Sequence, residues 1–344
     1  MDFAKMDIKN LIFELTTADF IGSVHNCQKV IRDNIAPFVD KISQRHDGTL
    51  IAEISGDENV ILLEAHIDQV GFVVTEVFDD GFVRVEKVGS PDIRTLPASE
   101  LVIYGKKEVY GAVCSTPPHL QKGSAESFAQ LSEMLVDTGL SKDTKNIISV
   151  GDFAAFSVEP KSLQNGNITA KSLDDRTACA ALIKAAEIIK NSEVKSTVRF
   201  MFSQAEEING SGASTAAFES DADIALCCDV SFANTPGVKP HKSGKFGGGV
   251  MIGISPVLSK EISNTLKAIC EENDIPYQLE VMGGLTSTDA DKITLSKQGI
   301  ASGLVSIPLK NMHTPVEVVN LKDVENTAKL MAQFAIKKDG ECNA

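Results

Sequence analysis

Positive charge is scarce in this chain: 33 Lys and Arg stand against 47 Asp and Glu, a formal net charge of −14 over 344 residues. Nucleic acid and anionic membranes both demand a basic surface, so neither is expected as a partner. Long apolar runs are missing too, and nothing approaches the ~20 residues that span a bilayer. The opening stretch, MDFAKMDIKNLIFEL, reads as an amphipathic helix interrupted by charge; it lacks the basic segment, apolar core and small-residue cleavage site of a signal peptide. No cysteines stand in Cys-x-x-Cys spacing. The seven present, an odd number including adjacent Cys227 and Cys228, suit reduced thiols in a cytoplasm better than a disulfide framework or a structural cysteine–zinc site. Neither Ser115 nor Ser203 lies in a Gly-x-Ser-x-Gly elbow, which argues against serine hydrolase chemistry. Gly247-Gly248-Gly249 lacks the Lys-Ser/Thr of a phosphate-binding loop.

What is present describes a chain able to bury a real core, with 43% hydrophobic and 23% charged residues, and long enough that two domains are expected. Two helices open it, the second read as starting from Ser23 as N-cap. KISQRH, the Asp47-Gly48 turn and TLIAEI suggest a hairpin, and VILLEAHID a buried strand of the parallel type. From about residue 71 to 166 the texture becomes short alternating runs such as FVVTEV, FVRVEKV and EVYGAV, with one helix-like interruption around ESFAQLSEMLVDTG. Such alternation with close turns predicts a small β-barrel. After Asn165-Gly166 the α/β rhythm returns, including helices over DDRTACAALIKAAEIIK, KEISNTLKAICEEND, DADKITLSKQ and KDVENTAKLMAQFAIKK. The expected fold class is α/β: a mixed-sheet α/β/α domain of residues 1–70 and 167–344, split by an inserted β-barrel of residues 71–166.

Five acidic or imidazole residues lie at or just past the ends of apolar, strand-like runs: His66, Asp174, Glu207, Asp229 and His313. Ligands collect outside the carboxyl ends of strands in such sheets, and converging His and carboxylate groups suit two divalent cations. Each residue also has a plainer reading. His66 is either a ligand oriented by Asp68, two residues on and on the same face, or a hydrogen-bonded core histidine beside a turn. Asp174-Asp175 either caps a helix or contributes a carboxylate that bridges two ions. In Glu206-Glu207, adjacent side chains diverge, so one can bind metal while its neighbour reaches the attacking water; the alternative is an exposed acidic turn. Asp229 inside IALCCDV is costly unless paired or metal-bound, or else begins a turn. His313 alone is a weak signal. Thr286-Ser287-Thr288-Asp289 reads as a helix N-cap run, and His25, His46, His119 and His241 as structural or surface residues. Lys239, Lys242, Lys245 and Lys310 read as surface charge, with an acid-accepting pocket as the alternative.

In order along the chain, AHIDQVGFVV, KSLDDRTACAAL, FSQAEEINGSGA, CCDVS and PLKNMHTPVEVVNLKDVE resemble the di-metal aminopeptidases of the glutamyl and deblocking type, which include the tetrahedral aminopeptidases and relatives labelled endoglucanases. A glycosidase needs two carboxylates and no metal, which the two histidines argue against. The resemblance implies two divalent cations per subunit, Zn²⁺ or Co²⁺. One would be held by His66, Asp174 and Asp229, the other by Asp174, Glu207 and His313, with Glu206 as general base and Asp68 orienting His66. It further implies a cytoplasmic aminopeptidase acting on short peptides through a metal-bridged water. The insert would serve as a dimerisation barrel, dispensable for ligation, in a homo-oligomer built from dimers, such as a dodecamer. Gln69, Asn311 and Ser287 depart from the family pattern. The runner-up readings are a di-zinc deacylase or carboxypeptidase, and a non-catalytic assembly protein on the same scaffold.

Overall fold

The computed structural model describes residues 6–115, 117, 119 and 130–339. Helices α1 (Ile8–Thr17) and α2 (Asn26–Ile35) are separated by a miniature hairpin of β1 (Phe20–Ile21) and β2 (Val24–His25). The second helix therefore begins later than a cap at Ser23 would place it: Gly22, at φ 54°, turns the chain into the hairpin first. β3 (Lys41–Gln44) and β4 (Leu50–Ile54) pair antiparallel around the Asp47-Gly48 turn, and β5 (Val60–His66) follows.

Six strands then close a barrel: β6 (Gly71–Val77), β7 (Phe82–Val88), β8 (Glu100–Tyr104), β9 (Glu108–Val113), β10 (Val136–Asp137) and β11 (Phe153–Phe156). The alternation in the sequence is the physical cause. Every second residue, among them Phe72, Val74, Leu101 and Ile103, turns into a core of the barrel's own. Residues 126–129 of the helix-like segment lie outside the described residues. Its remainder is a single 3-10 turn (Leu131–Glu133) running into β10, because Leu131, Met134 and Val136 are all drawn into the barrel core. A short helix, α3 (Thr144–Ile147), precedes β11.

The chain returns through β12 (Lys161–Ser162) and β13 (Asn167–Ala170), both strands of the larger sheet. There follow α4 (Leu173–Lys190), β14 (Thr197–Ser203), α5 (Ser211–Glu219), β15 (Ile224–Phe232), β16 (Val250–Ile254), α6 (Lys260–Glu272) and β17 (Tyr277–Val281). The last elements are α7 (Ala290–Ile293), β18 (Ala301–Lys310), β19 (Glu317–Asn320) and α8 (Leu321–Lys337). The helix expected across DADKITLSKQ is only four residues long, and the chain beyond it bends through left-handed φ values at Lys297 and Gly299.

The eleven-stranded sheet runs β12-β13-β19-β18-β15-β5-β14-β4-β3, with β16 pairing β18 and β17. Its middle strands, β18, β15, β5 and β14, are mutually parallel. Helices α1, α2, α4, α6 and α8 bury one face and α5 and α7 the other, so these strands read as continuous apolar runs. The architecture is thus a mixed-sheet α/β/α sandwich carrying a closed barrel. β14 and β15 lie on opposite sides of β5, and such a switch point opens a crevice beyond the carboxyl ends of the strands. Among the described residues no helix is long and apolar enough to cross a membrane.

Candidate metal centre

Each candidate stands where this topology ends a strand or begins a helix. His66 closes β5, Asp174 lies at the start of α4, Glu206 and Glu207 follow β14, Asp229 lies within β15, and His313 comes three residues after β18. His66 Nε2 lies 3.1 Å from Asp174 Oδ1 and 3.9 Å from Asp229 Oδ1. His313 Nε2 lies 3.3 Å from both Asp174 Oδ2 and Glu207 Oε1. Two three-residue groups result, His66–Asp174–Asp229 and Asp174–Glu207–His313, each offering ligand atoms within 4.8 Å of one another. The two oxygens of Asp174 face different histidines, so this one carboxylate belongs to both groups.

The imidazoles are held by their other nitrogens. His66 Nδ1 donates to the backbone carbonyl of Asp68 (3.2 Å), and His313 Nδ1 to that of Ser90 (2.9 Å). A ring whose Nδ1–H is committed to a carbonyl keeps its Nε2 lone pair for a cation. The Asp68 carboxylate meanwhile accepts from the backbone N–H groups of Glu206 (3.0 Å) and Glu207 (3.3 Å), so it fixes the turn as well as standing 3.6 Å from His66 Nδ1.

The electrostatics describe an excess of carboxylates. Burial lifts the Asp229 carboxyl well above the ordinary range and raises Glu207. Burial also raises Glu206, which with Asp289, Glu207 and Asp174 nearby is pushed up to about 8. Burial opposes charge on both rings, yet Asp174 and Asp68 hold His66 well above its usual value, and Asp174 with Glu207 takes His313 up to about 11. Asp174 is the exception: burial opposes its ionisation, but His313 and His66 pull it far below the usual carboxylate range. The carboxylates drive the imidazoles to supply positive charge, and a divalent cation in either group would supply it instead. Donor set, tautomers and charge therefore fit metal.

Several residues at the site gave no warning in the sequence. Glu317, on β19, accepts from the backbone N–H of His313 (Oε1, 2.6 Å) and of Asp174 (Oε2, 3.1 Å), and so ties together two residues far apart in the chain. Ser90 belongs to the inserted segment, which thus orients His313 although it carries none of the five candidates. Gly89, at φ 70°, allows this approach; a Cβ there would lie 3.3 Å from the Glu207 carbonyl oxygen. Beneath His66, Ser203 Oγ binds both Glu64 (2.6 Å) and Asp289 (2.7 Å). Asp289 is thus a buried partner of the sheet end as well as the N-cap position of α7. Glu64 did carry a signal, a charge inside an apolar strand.

Two of the departures from the family pattern, Gln69 and Asn311, find local explanations, and nothing in the structure explains Ser287. Gln69 accepts from Arg176 (2.8 Å) and donates to Asp19 (2.7 Å), which also pairs with Lys171; a glutamate at position 69 would face Asp19 with like charge. Asn311 and Ser287 both adopt left-handed φ values, 58° and 61°, a conformation Asn tolerates and for which glycine is the default. In the Gly-rich loop, the N–H groups of Gly247 and Gly249 hold the Asp323 carboxylate at 2.9 Å each, so the loop's anion is internal to the protein. His25 stacks on Phe20, and His46, His119 and His241 are exposed; none joins the metal-ligating groups.

Comparison with known proteins identifies the family. Residues 48–330 match the family model described as M42 glutamyl aminopeptidase. A putative aminopeptidase of Acetivibrio thermocellus is 33% identical over 91% of this chain and 93% of its own. Among solved structures, an aminopeptidase from the archaeon Desulfurococcus kamchatkensis superposes with a TM-score of 0.90 at 30% identity, covering 97% of this chain and 96% of that one. The TET1 peptidase of Pyrococcus horikoshii, described as able to assemble into a tetrahedron or a large octahedral shell, gives 0.83 at 27% identity over 96% and 99% of the two chains. With its ligand-rich crevice at the switch point of the sheet and a family match over most of its length, this chain belongs to the M42 glutamyl aminopeptidases, a family of metallopeptidases.

Proposed function

We propose that this aminopeptidase uses two divalent cations, Zn²⁺ or Co²⁺, to remove N-terminal residues from short peptides. His66, Asp174 and Asp229 would hold one ion, and Asp174, Glu207 and His313 the other. The observation that carries this reading is Asp174, whose two oxygens face the Nε2 atoms of two histidines whose Nδ1 atoms are already committed to carbonyls. When bound, the cations supply Lewis-acid polarisation of the peptide carbonyl and activation of water near neutral pH. Glu206 lines the cavity beside both groups, and its raised affinity for a proton suits the general base. It takes a proton from the attacking water and returns it to the departing amine as the C–N bond breaks. Asp68 is the positioning residue, holding the Glu206–Glu207 backbone and the His66 ring.

Residues 71–166 form the proposed self-association module, building dimers and from them a closed particle such as a dodecamer. The exposed Tyr110 and Val150 on this segment and the shell-forming relative support that assignment. A cytoplasmic location accords with six unpaired cysteines among the described residues. The deciding experiment is metal stoichiometry and turnover of aminoacyl chromogenic substrates by stripped protein reloaded with Zn²⁺, Co²⁺ or Mn²⁺, beside Asp174→Ala. Two ions per subunit, and loss of both metal and turnover in the variant, are expected. Full activity of the chelated protein would overturn the reading.

A further inference from the structure

We propose that Glu280 selects substrates whose N-terminal side chain is a cation, lysine or arginine; the inference rests on the aminopeptidase reading of the adjoining site. A cavity of about 670 Å³ opens from the metal-ligating groups, with Asp174, Glu206, Glu207, Asp229 and His313 on one side. Its other side mixes Ser and Thr hydroxyls with apolar side chains that include Phe232, Met251, Leu279, Val281 and Leu285. Glu280, on β17, is the one further carboxylate among the described residues that line it.

The sheet determines where that carboxylate stands. Ser231 follows Asp229 by two residues on β15 and so shares its face, and Ser306 on β18 is the register partner of Asp229. Ser231 Oγ donates to Glu280 Oε1, and Ser306 Oγ to Oε2 at 2.7 Å. Two hydroxyls that flank a candidate ligand thus clamp Glu280 at the metal end of the cavity. A carboxylate has about four acceptor positions, so capacity remains on each oxygen. Among the described residues no Lys, Arg or His pairs with it; its partners are the two serine hydroxyls.

A substrate held with its scissile carbonyl at the metals would send its first side chain into this space. The apolar side chains accept the methylenes of lysine or arginine, and Glu280 the charged head. A glutamate side chain would meet like charge. His241 and Lys242 also line the cavity, but from an exposed segment where solvent and salt screen them, whereas Glu280 is half-buried. The expected preference therefore opposes the one in the family's name.

An alternative role for Glu280, anchoring the free α-amine, would be blind to the side chain, and the test separates the two. Lysyl, arginyl, norleucyl and glutamyl nitroanilides are compared with metal-loaded wild type and Glu280→Gln. Norleucine has the lysine stem without its charge. Wild type should favour lysyl over norleucyl by at least about 10-fold in kcat/KM, and Glu280→Gln should reduce that ratio about 10- to 100-fold. Glu280→Arg should move the preference toward glutamyl. In parallel, lysinamide should raise the melting temperature of the wild type more than norleucinamide does, and Glu280→Gln should erase the difference; this readout needs no turnover. Equal handling of the lysine and norleucine compounds by wild type, in either measurement, overturns the proposal. So does a uniform fall in Glu280→Gln that leaves their ratio intact. Absence of all turnover together with retained lysinamide selectivity would fault the catalytic reading and uphold this one.

Discussion

Replacing Glu317 by alanine tests whether the two metal-ligating groups are held together from behind. Its carboxylate receives the backbone N–H groups of His313 and Asp174 and is itself buried. Burial pushes the Glu317 pKa well above the usual range, with Asp174 adding to that and the two backbone donors pulling against it. In Glu317→Ala both donors lose their acceptor inside the protein. An unsatisfied buried donor costs about 1–3 kcal/mol, so the pair costs about 2–6 kcal/mol, a large part of the ~5–15 kcal/mol that keeps a domain folded. Glu317→Gln keeps one acceptor and turns an NH₂ toward the other donor, so roughly half the loss is expected. Because the donors belong to the backbone of two candidate ligands, metal affinity should also fall, by about 10- to 100-fold as for other groups that support ligands from behind. The assay is chelator competition for Zn²⁺ beside thermal denaturation with and without metal. Asp323→Ala is the matched control: it too strips a buried carboxylate from two backbone N–H groups, those of Gly247 and Gly249, but away from the site. It should lose stability and keep metal affinity. If Glu317→Ala binds Zn²⁺ as tightly as Asp323→Ala does, the positioning argument is wrong.

Three further outcomes are expected. Glu206→Gln should retain its metals while kcat falls at least ~10²–10⁴-fold; if it is Glu206→Gln that loses metal while Glu207→Gln keeps it, the two roles are exchanged. In stripped protein, His313 is raised from 6.5 to about 11 and Glu206 from 4.5 to about 8. Both groups bind a proton more tightly when folded. The stability contributed by His313 is complete below pH 6.5 and lost as pH rises toward 11. That of Glu206 is complete below 4.5 and lost through about 8. The melting temperature of the stripped protein should therefore fall from pH 6.5 toward about pH 9, and metal should flatten the slope; a level profile without metal would refute this. Light scattering should find dimers or larger particles, with salt-sensitive assembly given the net charge of −14, and a monomer at micromolar concentration across salt would refute the association.

Much of this arrangement was legible in one dimension because strands end abruptly and polar chemistry gathers at their ends. His66, Glu206-Glu207 and Asp229 each break an apolar run, and a buried charge is expensive enough to stand out. The barrel was legible because period-two alternation has few other uses. What stayed hidden was non-local. Nothing around Glu317 marks it as the tie between His313 and Asp174, which lies 143 residues away. β19 itself leaves no mark in the sequence, because four residues flanking a helix carry too little pattern. Ser90 acts through its carbonyl, which no side-chain reading detects. Glu280 looks like an ordinary outward residue of a short strand until β15 and β18 bring two serines to it. A serine before a helical pattern is a good cap only if no hairpin intervenes, and here β1 and β2 move the start of α2 past Ser23.

The Ser90 carbonyl has a thermodynamic consequence. It joins a loop leaving barrel strand β7 to the imidazole of His313, and the Asp92 N–H binds the His313 carbonyl in return at 2.9 Å. Barrel placement and the geometry of the second candidate group are therefore linked. Whatever factor a displacement of the barrel imposes on metal affinity, metal must impose on that displacement by the same factor. If the proposed subunit association displaces the barrel, association and metal loading should titrate each other, so that dilution of the protein would change its apparent metal affinity by the factor by which metal shifts assembly.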